Sequence, residues 1–270
     1  MLARILVALV ILPVLVFLIF MKNPYYFIAL AVLAMILALN EVYSMLEKKG
    51  NRSFRVMGSV FAAVFCAAAV FTGEPAVYFA VFGIFVIFTY GRMVFLKDIK
   101  KFPMVSNTVM PVAYIAMLGS FGIHLRLLPE GSWFIFILMF ITYVYDGAAY
   151  FAGSFFGRHK LIPEISPGKT IEGCIGGLII ATAASVIISF TVLPAGLLGE
   201  LQLVHILILS VLLSVVGQIG DISASAIKRF SGARNSSNLL PGHGGALDKI
   251  DSAVFNAPVL FVYLKFFVLS

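Results

Sequence analysis

Residues 171–193 read IEGCIGGLIIATAASVIISFTVL, an apolar run broken by one charge, Glu172. A membrane-spanning β-strand would alternate with a period of two over about ten residues, and this run is too long and too uniform for that. Lipid offers no partner to open backbone N–H and C=O groups, so an apolar run of about 20 residues reads as an α-helix crossing the bilayer. Similar runs fall at about 4–21, 25–46, 55–72, 75–96, 104–125, 132–155, 202–222 and 252–269. The expected fold is an all-α polytopic membrane protein of about nine transmembrane helices. It forms a single transmembrane domain over 1–270, with generic apolar helices over 1–130 and the chemistry-bearing helices and loops over 131–270.

Composition agrees. The 270 residues are 61% hydrophobic and 11% charged, with a mean hydropathy of +1.07, whereas soluble domains carry roughly 25% charged residues. The first run lacks a small-residue cleavage site and leads into Lys22-Asn23-Pro24, so it reads as a helix and not as a cleaved leader. The net charge of +7 fits topology and an anionic partner at the membrane surface, not nucleic acid. Cys66 and Cys174 both lie in apolar runs and read as buried small hydrophobes with no disulfide.

Of the 19 Lys and Arg, all but Lys22, Arg126 and Lys265 fall near the N-terminus or in loops after the even-numbered runs. This bias places the N-terminus and those loops in the cytoplasm, and nine spans would put the C-terminus outside. Trp133, Tyr25 and Tyr26 then stand at the outer interface. Two cytoplasmic loops, at about 156–170 and 222–251, hold most of the residues that chemistry can use.

Gln218, Asp221, Ser225 and Lys228 recur at intervals of three and four, one polar stripe on a helix. Anionic headgroups account for Lys228 and Arg229 at a polar helix end, where little packing is lost on substitution. They account poorly for Asp221, because an acid at the membrane boundary is costly without a partner or purpose. Downstream, Pro241-Gly242-His243-Gly244-Gly245 offers a close backbone approach and an anion nest. Asp248 and Asp251 follow on one helical face, and together these features suit a nucleotide with a divalent ion. Asp146 lies about ten residues inside its run, on a face shared with Tyr150, Gly153 and Gly157. An intramembrane acid is functional by default, whereas the glycines read as packing positions. Gly168-Lys169-Thr170 is not a P-loop, because position 163 is Pro163 where that motif needs glycine. Lys169 still offers a cation and Thr170 a donor at a helix start. His124 and His205 read as interfacial, and Glu41 as an acid within reach of headgroups.

These stretches resemble the phosphatidate cytidylyltransferase (CDP-diglyceride synthase) family. The resemblance rests on Ser225-Ala226-Ile227-Lys228-Arg229, Pro241-Gly242-His243-Gly244-Gly245 and Asp248-Lys249-Ile250-Asp251. The segment from Asp146 through Ala149-Tyr150-Phe151 to Gly153, and Ser166-Pro167-Gly168-Lys169-Thr170 with Glu172-Gly173, also look like this family. Arg234-Asn235 stands where the family usually has Lys-Asp, and Lys249 where it usually has Arg, so Asn235 is assigned no metal.

The resemblance implies CTP and phosphatidic acid as substrates, CDP-diacylglycerol and pyrophosphate as products, Mg²⁺ as cofactor, and often a homodimer in the bilayer. It implies a multi-pass protein of the cell (inner) membrane with its site facing the cytoplasm. On this reading Asp221, Asp248, Lys228, Arg229 and His243 are catalytic, and Asp221 and Asp248, with Asp251, hold metal. Lys169, Thr170, Ser166, Ser225, Gly242, Gly244, Gly245 and Asp146 then bind substrate. The alternatives are another CTP-dependent lipid enzyme, such as a prenol kinase or an archaeal lipid cytidylyltransferase, and an ion-coupled transporter using Asp146 and Asp221.

Overall fold

A computed structural model describes residues 12–72, 74–194, 197, 201–237, 239 and 244–269. Each apolar run is helical over its described part. Residues 12–20 form α1, and the start of the first run, with Arg4, lies outside the described residues. Then come α2 (Tyr25–Lys48), α3 (Arg55–Phe71) and α4 (Pro75–Phe95). The fifth run is α5 (Pro103–Pro111), a π-helical stretch (Val112–Met117) and α6 (Leu118–Leu127). The wider winding begins right after Pro111, whose missing N–H interrupts the regular ladder. The last helices are α7 (Gly131–Phe156), α8 (Ile171–Thr191), α9 (Leu203–Phe230) and α10 (Leu247–Phe267). Among the described residues, seven helical segments are long and apolar enough to cross a membrane, and Arg55–Phe71 is shorter.

Two departures from the sequence reading matter. The loop at about 156–170 is a β-hairpin, β1 (Lys160–Ile162) pairing antiparallel with β2 (Ser166–Thr170). Ile165 N–H donates to Ile162 O across the turn, which puts Pro163 at the position where its fixed φ favours turning. The second loop is shorter than the sequence suggested. α9 continues to Phe230 and α10 already starts at Leu247, because a helix outlasts its apolar stretch once it leaves lipid.

The chain divides into two compact units. One holds the residues up to Leu127 together with Ile227–Ile250, and the other holds Leu128–Ala226 and the residues from Asp251 on. The segment Ile227–Ile250 therefore groups with the N-terminal helices and not with the rest of the C-terminal half. In the first unit, Tyr43 Oη donates to Thr108 O at 2.9 Å, and Phe54 N–H to Thr108 Oγ1 at 2.8 Å. Arg126 is buried and donates to Met21 O at 2.7 Å.

In the second unit, α7 and α8 meet backbone to backbone. A Cβ on Gly173 would stand 2.7 Å from Ala149 O, and one on Gly177 would stand 2.8 Å from Ala149 Cβ. Without an apolar driving force in lipid, such small-residue contacts are what hold helices together. α9 and α10 approach in the same way, since a Cβ on Gly220 would lie 2.5 Å from Asp251 O and 3.1 Å from Ser252 Cα. One helical turn further on, the fully buried Asn256 donates to Thr142 Oγ1 at 2.9 Å. His205 is not merely interfacial, because its Nδ1 lies 2.8 Å from Tyr263 Oη.

Gly220→Ala is therefore expected to lower the unfolding midpoint in detergent, at about 1–3 kcal/mol for forced overpacking against backbone. Gly83→Ala on α4, with nothing within 4 Å of the added methyl, is expected to leave the midpoint unchanged or slightly raised.

Candidate functional site

In the second unit, β2 runs directly into α8, so the hairpin's last residues are placed by the α7–α8 contact. Thr170 is buried and caps α8, its Oγ1 accepting Gly173 N–H at 3.1 Å. That oxygen lies 2.8 Å from where a Cβ would stand on Gly153 or Gly157, so the hairpin closes onto the end of α7. Glu172 braces its other strand by accepting Arg158 N–H at 3.0 Å, with His159 Nδ1 2.6 Å from the carboxylate.

This framework presents Lys169, whose Nζ is 2.7 Å from Asp221 Oδ2. Both side chains keep some exposure, 20% and 30%. Asp146 on α7 interacts electrostatically with both of them. Tyr143 feels the charges of Asp146 and Asp251, so acids of α7 and α9 lie near Lys169, and acids of α7 and α10 near Tyr143. Asp251 is buried, and its Oδ1 accepts Ser252 N–H at 2.8 Å. Tyr145 Oη hydrogen-bonds Gln218, whose Nε2 is 2.9 Å from Cys174 Sγ. Ser166 stands opposite Ile162 in the hairpin, and Ser225 is buried on α9.

The first unit holds a second cluster. Lys228 Nζ is 2.5 Å from Asp248 Oδ1. The other oxygen, Oδ2, accepts Ser236 N–H at 3.1 Å, Ser236 Oγ–H at 2.7 Å and Gly245 N–H at 3.0 Å. Lys228 is thus 9% exposed and not the open helix-end cation expected from sequence. A metal at Asp248 would compete with the Lys228 ammonium and three further donors. Gly245 N–H, expected to face a phosphate, donates to this carboxylate. Gly244 has φ +83, a conformation that favours glycine. Arg229 Nη1 donates to Ala233 O at 3.3 Å. Gly242 and His243 lie outside the described residues.

Sequence reasoning missed Glu41. It does not reach for headgroups. Its Oε1 accepts Ser237 Oγ–H at 2.6 Å and Ala246 N–H at 2.9 Å, and its Oε2 accepts Leu247 N–H at 2.9 Å. A lone acid in an apolar run was the available signal, but the partners lie about two hundred residues away.

For a hard divalent cation, the donor chemistry fits best at Asp146 and Asp221. Mg²⁺ takes one or two carboxylates and completes its shell with water and phosphate oxygens. Among the described residues no group of three or more His, Cys, Asp or Glu is clustered tightly enough to hold an ion unaided, so substrate oxygens would have to complete the shell.

The sequence model of the cytidylyltransferase family matches residues 2–267. A phosphatidate cytidylyltransferase of Bacillus subtilis is 37% identical over 191 residues, 70% of this chain and 68% of that protein. The protein of that name from Staphylococcus aureus (strain COL) is 36% identical over 184 residues, 67% of this chain and 66% of the relative. One from Haemophilus influenzae is 43% identical over 143 residues, 52% of this chain and 49% of the relative. The chain thus spans about half to two thirds of the length of these relatives.

The buried pair makes a prediction that reverses the simple sequence expectation. Lys228→Ala strands the Asp248 carboxylate and is expected to destabilise by about 3–5 kcal/mol. Lys228→Met combined with Asp248→Asn is expected to recover most of that loss. Thermal unfolding in detergent measures both, and a Lys228→Ala protein as stable as the parent would contradict the pairing.

Proposed function

As a member of the cytidylyltransferase family, the chain, we propose, is a phosphatidate cytidylyltransferase that converts CTP and phosphatidic acid into CDP-diacylglycerol and pyrophosphate. The observation that carries this reading is the part-exposed Lys169–Asp221 pair, with Asp146 in electrostatic reach, beside the hairpin that leads into α8. A phosphatidate oxygen forms the new bond to the α-phosphorus of CTP. The bond from that phosphorus to the bridging oxygen breaks, and pyrophosphate leaves with the electron pair. A phosphomonoester with a second pKa of about 6 is mostly dianionic at neutral pH, so the attack requires no general base. The protein's task is to bring two polyanions together and stabilise the spreading charge.

Lys169 suits that task, since its ammonium can turn from Asp221 to a phosphate oxygen. Asp221 and Asp146 would hold Mg²⁺, which when bound neutralises phosphate charge and polarises the phosphorus. Ser166 would orient substrate from the hairpin, and the same role for the buried Thr170 and Ser225 requires their surroundings to open. The family resemblance also assigns Lys228, Arg229, His243 and the Gly242, Gly244 and Gly245 backbone to substrate, a role that for Lys228 and Gly245 requires release from Asp248. A metal role for Asp248 or Asp251 requires a rearrangement of the contacts each now makes. Relatives named for phosphatidate favour this acceptor over a prenol or an archaeal lipid, and family membership argues against the transporter.

The protein is a multi-pass membrane protein. The bias of Lys and Arg supports a cytoplasmic N-terminus and site, and resemblance to the family supports an inner-membrane location and a homodimer. A reporter fused after Ser270 is expected to read as external, and a cytoplasmic signal would shift the span count by one.

Purified protein supplied with labelled CTP and phosphatidic acid is expected to yield CDP-diacylglycerol only with a divalent ion. ATP should not substitute for CTP. Asp146→Asn and Asp221→Asn should each lower turnover by about 10² or more, since metal stabilisation contributes several kcal/mol. Product formation in the presence of excess chelator would overturn the metal-dependent reading.

A further inference from the structure

We infer that Glu41 is a positioning residue, a carboxylate on α2 that clamps the loop before α10 and thereby holds Asp248 in place. This rests on the proposed cytidylyltransferase reading only for the catalytic value of that loop. The clamp itself rests on geometry within the first unit.

The first N–H groups of a helix have no intrahelical acceptor. At the start of α10 those of Ala246 and Leu247 are both taken by Glu41, one by each carboxylate oxygen. The negative charge also stands at the positive end of the α10 dipole. The same carboxylate accepts Ser237 Oγ–H, so it ties Ser237, between α9 and α10, to the start of α10. Asp248 repeats the device one residue away on either side, through Ser236 and Gly245. Two carboxylates therefore share one loop, one from α2 and one from α10 itself. The glycines fit this arrangement, because a Cβ on Gly245 would collide with Glu41 Oε1 and Ser236 Oγ, and one on Gly244 with Asp248 Oδ2. Gly244 and Gly245 thus lie against the chain's own acids. Releasing Glu41 would free Ala246, Leu247 and Ser237 together, and the Ser236 and Gly245 donors that orient Asp248 against Lys228 would lose their frame.

The test uses the full chain in detergent and the variants Glu41→Gln, Ser237→Ala and the two combined. Amide hydrogen exchange at 245–247, without substrate, reads the clamp directly. Loss of a charge-assisted bond should speed exchange by about tenfold or more in Glu41→Gln, less in Ser237→Ala, and not additively in the double variant. Turnover with CTP and phosphatidate should fall about tenfold in Glu41→Gln with the CTP KM changed less than kcat, as expected when a catalytic group is displaced and binding is kept. Unchanged exchange would overturn the clamp. Faster exchange with normal turnover would overturn the positioning role. A lower CTP KM in Glu41→Gln would also overturn it, because Glu41 would then be occupying a phosphate site. If the parent protein makes no CDP-diacylglycerol while the exchange results hold, the enzymatic reading fails and the clamp stands.

Discussion

The second unit depends on α7 and α8 approaching closely enough for backbone to touch backbone. Gly173 and Gly177 meet Ala149, Gly176 meets Ala152, and Gly153 and Gly157 receive the Thr170 hydroxyl. Inside lipid, contact of this closeness replaces the apolar driving force that water would supply. Its consequence for chemistry is positional. β2 enters α8 with no spacer, so fixing α8 on α7 also fixes Lys169 against the helix that carries Asp146. A larger side chain at any of these glycines would shift the hairpin before it touched a charged group.

A second constraint is electrostatic. Carboxylates near a low-dielectric region require compensation, and the compensation differs between the two clusters. Asp221 has a single cation at 2.7 Å and keeps 30% exposure. Asp248 has a cation and three further donors. Glu41 has no cation among the partners described above and uses the N–H groups at a helix start together with one serine hydroxyl. The less a carboxylate is engaged, the less its partners lose when a substrate or metal takes their place. That ordering makes Asp221 the acid most readily given over to a substrate or metal, and Asp248 the one most firmly held in place.

Much of this was legible in the sequence. Apolar run length located the helices, because lipid leaves one local solution for the backbone. The spacing of Gln218, Asp221, Ser225 and Lys228 marked a polar helical face, yet apolarity alone ended that run too early at residue 222. Hydropathy reports exposure to lipid and not helicity, and α9 continues to Phe230. The hairpin escaped notice because Lys160–Ile162 and Ser166–Thr170 are too short for a period of two to show. Pro163 was its one local mark. The partner of Lys228 and the role of Glu41 were not legible, since each depends on contacts across many residues that a single sequence does not record.

The resting ion pairs bear on how such a site would wait for a doubly anionic reaction. An unpaired lysine at the membrane edge would attract anionic headgroups indiscriminately, and an unpaired aspartate would attract cations in the same way. Pairing Lys169 with Asp221 removes both tendencies while leaving each group partly exposed. Under the proposed function, a metal–nucleotide complex brings positive charge for the acid and negative charge for the lysine at once. The pair can then separate with little net change in local charge. A phosphate without its cation satisfies only the lysine and leaves Asp221 unpaired, which disfavours it. Under the proposed function, selectivity for the metal-bound nucleotide over the many free phosphates of a membrane surface would follow from this same 2.7 Å contact.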